Sequence, residues 1–332
     1  MHVSFRLLLP FVLFAATLLS ITFPDTAGSE TLNCLECHND IGKEQFVHSP
    51  FGAGECASCH QPQTGKRHPD DKGSVTPVEV GAKLCYMCHE SLSGKKYVHA
   101  PVASGDCIAC HNPHASSNAK LLKISGAPLC LTCHEDKFRH KFGHGPVEAG
   151  NCLVCHDPHQ SDNRKLLKLG GAELCFSCHD RKGMTGKSVH APVAKGDCVA
   201  CHAPHGSNFR KLLRNNFPEP FYMSYDAENF SLCFGCHNRD IAADRRTDTN
   251  TNFRDGDRNL HYLHVNKPDR GRSCKTCHDP HAADQPKLIK KRIPGFGRWE
   301  IPINYEKNAT GGTCTVGCHK PRSYDRSKTG DE

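Results

Sequence analysis

One short pattern, C-x-x-C-H, occurs ten times in this chain of 332 residues and constrains its fold more than any other feature. An eleventh copy, Cys314-Thr-Val-Gly-Cys318-His319, has one extra residue between its cysteines. The eleven copies use all 22 cysteines, so no cysteine remains for another role. The cysteine pairs are Cys34 and Cys37, Cys56 and Cys59, Cys85 and Cys88, Cys107 and Cys110, Cys130 and Cys133, Cys152 and Cys155, Cys175 and Cys178, Cys198 and Cys201, Cys233 and Cys236, Cys274 and Cys277, and Cys314 and Cys318.

Aliphatic side chains are too scarce to fill an interior. Leu, Ile, Val and Phe make up 52 of the 304 residues that follow Gly28, or about 17%. That share is below the roughly 20% at which a chain struggles to bury its own core. The net charge is only +7, so charge repulsion does not explain the shortage. A bound group must therefore supply much of the interior, which argues against an ordinary α/β enzyme. The single long apolar run also excludes a membrane-embedded bundle.

Paired cysteines admit three interpretations. Cysteines of exported proteins form disulfides, and C-x-x-C pairs build zinc sites. Neither requires a histidine directly after the second cysteine, whereas C-x-x-C-H is the attachment signature of c-type haem. We therefore predict about 11 covalently bound haem c groups per chain, each held by two thioethers. The proximal iron ligands are then His38, His60, His89, His111, His134, His156, His179, His202, His237, His278 and His319.

The motifs are organised in repeats. Segments that begin at Gly81, Gly126 and Gly171 align almost without gaps at a period of 45 residues, which is typical of repeat architectures. Each has two C-x-x-C-H motifs, an H-x-P-V between them and a C-H-x-P-H at the second. The predicted organisation is a signal peptide over 1–28, a degenerate di-haem unit over 30–80, di-haem repeats over 81–125, 126–170 and 171–216, an expanded di-haem unit over 229–293, a single-haem section over 294–319 and a disordered tail over 320–332.

The fold class follows from these units. Each holds two haems and can bury little else, so we predict a multihaem cytochrome c. Its short α-helices and irregular coil would surround a haem core with little or no sheet, in an elongated repeat array. Gly and Pro together number 49, too many for long helices or continuous strands.

The sixth iron ligand decides what a haem does. Twelve histidines remain after His2 and the proximal ligands are set aside, almost one per iron, and most recur in H-x-P-V or C-H-x-P-H. Methionine is scarce, so we predict bis-His irons without an open position. The predicted distal ligands are His48, His68, His99, His114, His144, His159, His190, His205, His261, His264 and His281. His140 is then the spare histidine, although the sequence leaves open whether His140 or His261 has that place.

The second histidine of each C-H-x-P-H is too close to the first for both to ligate the same iron, so we predict that it ligates a second haem. Two axial imidazoles on one iron hold their Cα atoms roughly 12 Å apart, given metal–nitrogen bonds near 2 Å. His111 and His114 are three residues apart and span at most about 10–11 Å when fully extended. We therefore expect His114, His159, His205 and His281 to ligate a haem other than the one attached just before them.

The N-terminus indicates export. His2 and Arg6 precede an apolar run from Leu7 to Phe23, and small residues follow up to a plausible cleavage point after Gly28. The alternative is an uncleaved anchor, for which the run is short. We expect an exported protein that is periplasmic, with outer-membrane association or an extracellular location as the alternatives. The basic runs at Lys120–Lys123, Arg164–Lys168 and Arg210–Arg214 are interpreted as partners of haem propionates or as solvated surface, and no nucleic acid is expected as a partner.

The repeated pattern HAPV…GDC..CH.PH over residues 31–290 resembles the doubled C-x-x-C-H family of multihaem c-type cytochromes. That family includes the periplasmic decahaem subunits of porin–cytochrome conduits and the pentahaem donors to nitrite reductase. The resemblance implies an electron carrier rather than an enzyme, acting in anaerobic or extracellular metal respiration. It also implies redox proteins as partners. The electron donor would be a quinol oxidase on the inner-membrane side. The acceptor would be an outer-membrane conduit, with or without its barrel, or an extracellular cytochrome. The alternatives are a multihaem reductase of oxyanions such as nitrite or tetrathionate, and the subunit of a secreted cytochrome filament.

Overall fold

The computed structural model describes residues 33–134, 138–295 and 297–329. The predicted signal peptide over 1–28 and the last three residues of the predicted tail lie outside this range. The chain divides into two compact units, Met1–Ile41 and Gly42–Glu332, so the first motif of the predicted 30–80 unit belongs to a unit of its own. In that first unit the helix Cys34–Cys37 carries the first cysteine pair, and the amide of His38 donates a hydrogen bond of 2.9 Å to the Cys34 carbonyl.

Every helix of the second unit is short. The longest described α-helices, Gly171–Phe176 and Leu260–Val265, have six residues each. The other α-helices are Ser49–Gly52, Ala82–Tyr86, Ala100–Ala103, Ala127–Leu131, Gly145–Glu148, Ala191–Ala194, Ser231–Phe234, Asp240–Ala243 and Cys274–Cys277. The 3-10 helices are Cys56–Ser58, Cys107–Ala109, Ala119–Leu121, Cys152–Val154, Arg164–Leu166, Cys198–Ala200, Arg210–Leu212, Ala227–Phe230 and Pro286–Leu288. Over the described ranges, no helix has the length and apolar character needed to cross a membrane.

The H-x-P-V segments show why these helices stay short. In each, the histidine has an extended backbone and the proline occupies the first helical turn, where its missing N–H costs nothing. A glycine with positive φ, such as Gly105 at φ 77°, follows within two residues of the last helical residue and turns the chain away. The result is one helical turn immediately after each such histidine.

Two-residue strands join each repeat to the next one. A strand just before an H-x-P-V histidine pairs, antiparallel, with a strand just after the C-H-x-P-H histidine of the following unit. The backbone amide of His99 also donates to the carbonyl of His159 at 2.9 Å, so the two segments are fixed side by side. The four pairs are Phe46–Val47 with Ala115–Ser116, Tyr97–Val98 with Gln160–Ser161, Phe142–Gly143 with Gly206–Ser207, and Ser188–Val189 with Ala282–Ala283.

Three further strand pairs lie outside this scheme. They are His60–Pro62 with Val75–Pro77, Tyr222–Met223 with Gly271–Arg272, and Arg254–Asp255 with Arg258–Asn259. The second joins Gly271–Arg272 of the expanded unit to the segment that precedes it, and the third belongs to that unit. There Asn259 is fully buried and its side chain accepts the amides of His261 and Tyr262, which starts the helix Leu260–Val265.

The protein's own hydrophobic core is small. Only ten hydrophobic residues are buried among the described ones, and the two clusters they form both lie beyond the three regular repeats. One cluster centres on Phe230, Ala242 and Val265, and the other on Ile293, Ile301 and Ile303. In the repeats the interior is left to the groups that the cysteines bind, as the shortage of aliphatic residues predicts.

The C-terminal region corrects one prediction. A four-stranded antiparallel sheet is formed in sequence order by Arg292–Pro294, Glu300–Lys307, Gly311–Val316 and His319–Asp325. The predicted tail over 320–332 is therefore an ordered strand as far as Asp325. It is ordered because its backbone pairs with Gly311–Val316 and because the buried Tyr324 hydroxyl lies 2.8 Å from that of Tyr305. The fold class is confirmed: short helices and coil around the motifs, with a modest amount of sheet.

Candidate haem centres

Each C-x-x-C-H motif presents its three functional side chains together. In a helical turn, residues at i, i+3 and i+4 lie on one face. The amide of the motif histidine closes the turn onto the first cysteine, as with His89 on Cys85 at 2.9 Å and His111 on Cys107 at 3.1 Å. All 22 cysteines lie in the described residues, and none of them forms a disulfide there.

Nine motif histidines face a second histidine at a nearly constant separation. The ring centroids are 6.0 to 6.3 Å apart and the ring planes differ by 13 to 32°. In each pair the second ring belongs to a predicted distal ligand. The pairs, with the motif histidine first, are His60 and His114, His89 and His48, His111 and His159, His134 and His99, His156 and His205, His179 and His144, His202 and His281, His237 and His190, and His278 and His261.

This separation fits one iron between two imidazoles. A metal–nitrogen bond of about 2 Å on each side, plus about 1.1 Å from each nitrogen to its ring centre, gives a separation of about 6.2 Å. Direct stacking of two rings would bring the centroids closer together. The residues present therefore fit haem c at these sites: two cysteines for the thioethers and two histidines for the axial positions.

Hydrogen bonds orient the rings for this role. A ligating imidazole donates its other N–H to a carbonyl or carboxylate, which fixes the tautomer. The Nδ1 atoms of His111, His156, His202 and His278 lie 2.8 to 2.9 Å from backbone carbonyls nine residues further along the chain. The Nδ1 atoms of His99, His144 and His190 lie 2.8 to 3.0 Å from the carbonyl of the proline in the next C-H-x-P-H. All seven rings therefore keep Nε2 available for a metal.

Desolvation keeps several of these rings neutral, as a ligand must be. Burial lowers the pKa of His114, His159, His205 and His281, and the neighbouring histidine charges lower it further. At His261, burial and the rings of His278 and His264 lower the pKa to about 3. An imidazole with so low a pKa binds metal without competition from protons over the physiological range.

Eight of the nine ring pairs cross from one unit to its neighbour, and the ninth, His278 with His261, lies within the expanded unit. His159 faces His111 of the preceding repeat and not His156, which stands three residues before it. In the opposite direction, His99 faces His134 of the following repeat. Two neighbouring repeats therefore exchange one histidine each, and the two-residue strands hold both exchanged histidines in place.

The attachment cysteines of consecutive motifs are neighbours in space. Within a unit, the first cysteines of the two motifs are hydrogen-bonded, and burial together with the Cys107 thiol raises the pKa of Cys85 to about 11. Between units, the second cysteine of one site interacts with the first cysteine of the next, as Cys110 does with Cys130. Four pairs of attachment cysteines are hydrogen-bonded: Cys85 with Cys107, Cys130 with Cys152, Cys175 with Cys198, and Cys233 with Cys274. Five further pairs are near enough for the charge of one thiol to raise the pKa of the other, after the larger effect of burial: Cys59 with Cys85, Cys110 with Cys130, Cys155 with Cys175, Cys201 with Cys233, and Cys277 with Cys314.

The remaining predicted ligands have different surroundings. His264 is close enough to His319 for the charge of His319 to lower its pKa, after the larger effect of burial. His68 has its Nδ1 3.0 Å from the Ser74 hydroxyl. His140 is exposed and lies against Gly206, beside His205, while His261 faces His278. The spare position is therefore occupied by His140.

The basic runs have a structural role that the sequence interpretation missed. In two of the three runs the last basic residue reaches back to its own C-x-x-C loop: Lys168 Nζ donates to the Leu153 carbonyl, and Arg214 Nε donates to the Val199 carbonyl at 2.5 Å. Lys290 does the same to Lys275, at 2.6 Å. These three side chains are engaged with the motif backbone, and the interpretation of the other basic residues of the runs as propionate partners or solvated surface stays a prediction. Each basic run follows its C-x-x-C-H motif at a recurring distance along the sequence, and that spacing could have indicated the contact.

Comparison with known proteins agrees with this geometry. No curated protein matches the chain. The family described as Doubled CXXCH motif matches residues 48–94, 99–139, 144–184, 190–242 and 266–296, which is more than half of the chain. Three of these matches begin at an H-x-P-V histidine and one begins at His48 of the related H-S-P-F, and each of the four contains two consecutive motifs. The chain therefore belongs to the doubled CXXCH motif family, whose members are multihaem c-type cytochromes with covalently bound haem.

Proposed function

We propose that the protein is an electron carrier with about 11 bis-His haems, and that the ten haems attached between Cys56 and Cys318 form one relay in the order of the sequence. The observation that carries this proposal is the unbroken series of nine neighbouring pairs of attachment cysteines, four of them hydrogen-bonded, from Cys59 to Cys314. Haem c supplies a one-electron iron couple at each such site. Neighbouring cysteines bring the edges of successive haems together, and short distances favour electron transfer.

The side chains of the protein do the positioning. Each cysteine pair would fix the plane and edge of a haem, and each exchanged histidine would hold that haem against the neighbouring repeat. At nine sites the paired imidazoles would fill both axial positions, so a substrate would find no open coordination site at these irons. His264 and His319 are the proposed ligands of the eleventh site and complete the relay at its C-terminal end.

The cellular setting is a proposal as well. An export signal and a multihaem chain support a periplasmic location, with outer-membrane association or secretion as alternatives. The donor is then a redox protein on the quinol-oxidising side of the inner membrane. The acceptor is an outer-membrane conduit or an extracellular cytochrome of an anaerobic respiratory chain, in keeping with the resemblance of the repeats to such proteins.

Interruption of the relay tests this function. Replacement of both Cys152 and Cys155 by alanine removes the sixth attachment site, which lies in the middle of the proposed order. With the protein tethered to an electrode by a C-terminal biotin, we expect fast voltammetric exchange only for the five haems on the electrode side of the gap. The other haems should exchange electrons far more slowly, because no neighbour bridges the missing site.

The matched control removes a site near the far end. Replacement of Cys56 and Cys59 by alanine also removes one haem, but it leaves the order from Cys85 onward unbroken, so all haems from that site to the electrode should exchange rapidly. Equal rates for every remaining haem in both variants would contradict a single linear relay.

High-spin ferric haem together with turnover of nitrite or tetrathionate would favour an oxyanion reductase instead, and concentration-dependent assembly would favour a filament.

A further inference from the structure

A strained backbone turn recurs behind four of the motif histidines. Among the described residues, the non-glycine residues with positive φ are eight in number, and all of them lie in these four turns, at φ values of 55 to 60°. They are Lys120 and Leu121, Lys165 and Leu166, Lys211 and Leu212, and Lys287 and Leu288. Each pair stands nine and ten residues after the histidine of a second C-x-x-C-H motif, and the first unit, which has a strand pair in this place, lacks the turn.

The turn directs one carbonyl at one ring nitrogen. The carbonyl of Lys165 lies 2.9 Å from Nδ1 of His156, and the next carbonyl, of Leu166, accepts the amide of Asp157 at 2.8 Å. The same two contacts recur at His111 with Lys120, at His202 with Lys211 and at His278 with Lys287. Two consecutive left-handed residues are needed for this geometry, because they turn both carbonyls toward the motif.

L-amino acids enter the left-handed region at a cost, and two in succession are rare. A surrounding network maintains the conformation. The Ser161 hydroxyl donates to the Leu167 carbonyl at 2.5 Å, the amide of Asn163 donates to the same hydroxyl at 2.9 Å, and the Asn163 amide group donates to the Leu167 carbonyl at 3.1 Å. Strain that recurs at four equivalent positions beside a ligand indicates a functional constraint.

We propose that these Lys-Leu turns (Lys-Leu at 120–121, 165–166, 211–212 and 287–288) set the reduction potential of the haems at the second motifs. This inference rests on the proposed function, because it takes His156 as the proximal ligand of the haem at Cys152 and Cys155. A carbonyl that accepts the Nδ1 proton makes the imidazole a stronger electron donor to iron. That donation favours the ferric state and lowers the potential. The lysine acts through its backbone, and its exposed side chain is dispensable.

The test separates the backbone from the side chain at one exposed position. Lys165→Val and Lys165→Asn both remove the charge, but a β-branched residue resists positive φ, whereas asparagine accepts it. We expect Lys165→Val to weaken the bond from His156 and raise the potential of one haem. The expected change in its reduction equilibrium is about tenfold, which is about 59 mV for one electron. Lys165→Asn should titrate like the wild-type protein.

The measurement is a potentiometric titration of the complete haem-loaded protein, with ferric electron paramagnetic resonance as a second readout. The titration curves of the two variants should differ by one electron, which corresponds to one haem. In Lys165→Val, the electron paramagnetic resonance spectrum should show an altered low-spin signal for one haem. An equal shift in both variants would show that the lysine charge sets the potential, and no shift in Lys165→Val would equally overturn the inference. If Lys165→Val fails to accumulate, Lys165→Ala and Lys165→Gly give the same comparison, because glycine adopts positive φ freely.

Failure of the proposed function gives a different result. A wild-type protein whose ferric haems are high-spin, or whose Cys152 and Cys155 carry no haem, would contradict the bis-His relay itself. A wild-type protein with low-spin haems at every site and identical titrations for all Lys165 variants would contradict only the role of the turns.

Discussion

Replacement of His159 by methionine should change the haem attached at Cys107 and Cys110 and leave the haem of its own motif, at Cys152 and Cys155, unchanged. The structure places His159 opposite His111, with ring centroids 6.1 Å apart. A His/Met iron has a higher potential than a bis-His iron. We therefore expect one haem to rise clearly in potential, with the charge-transfer absorption of a methionine-ligated ferric haem.

Two backgrounds identify the altered haem. With Cys107 and Cys110 replaced by alanine, His159→Met should have no spectral effect, because the haem it ligates is gone. With Cys152 and Cys155 replaced instead, the effect should persist. His140→Met is the matched control, because His140 is exposed and faces no motif histidine in the described structure. A methionine signal that disappears in the Cys152 and Cys155 background would show that the histidine ligates its own motif's haem.

Haem attachment should be a condition for folding. Among the described residues, ten hydrophobic side chains are buried, and the regular repeats contribute only Ala115 and Leu213 to them. Groups that bind only the folded chain supply folding free energy, as in small metal-dependent domains. We expect the repeats to be unfolded when the chain is expressed without haem-attachment enzymes, with complete loss of protease-resistant product from residues 48–216.

Limited proteolysis and circular dichroism of the haem-free chain test this expectation. The informative comparison lies within the molecule, because the C-terminal sheet has its own cluster of Ile293, Ile301 and Ile303. That sheet can retain some protection when the repeats have none. A haem-free protein that melts cooperatively, with its repeats resistant to protease, would contradict the account.

Much of this site follows from the sequence because its chemistry is local. Five residues are enough to specify haem attachment, and the distance that three residues can span is enough to exclude His111 and His114 from one iron. The family resemblance is confirmed by the matches across the repeats. The histidine count also identified the distal ligands, because the second ring of every pair belongs to a predicted distal histidine.

Other features depend on contacts that no short pattern encodes. The choice of His111 as the partner of His159 depends on two-residue strands that pair residues more than 60 positions apart, such as Val98 with Gln160. The Lys-Leu turns adopt positive φ through a hydrogen-bond network, against the intrinsic preference of both residues. The strand His319–Asp325 buries only Tyr324, so its sequence has too little apolar alternation to stand out.

The most direct test of the exchanged ligation is the location of the irons in crystals of the haem-loaded protein, from anomalous diffraction at the iron absorption edge. We predict about 11 iron peaks, nine of them midway between the two rings of a named pair. The iron of the haem at Cys107 and Cys110 should lie between His111 and His159, with both Nε2 atoms about 2 Å away. An iron at that site bound by His111 and a histidine of the same repeat would contradict it.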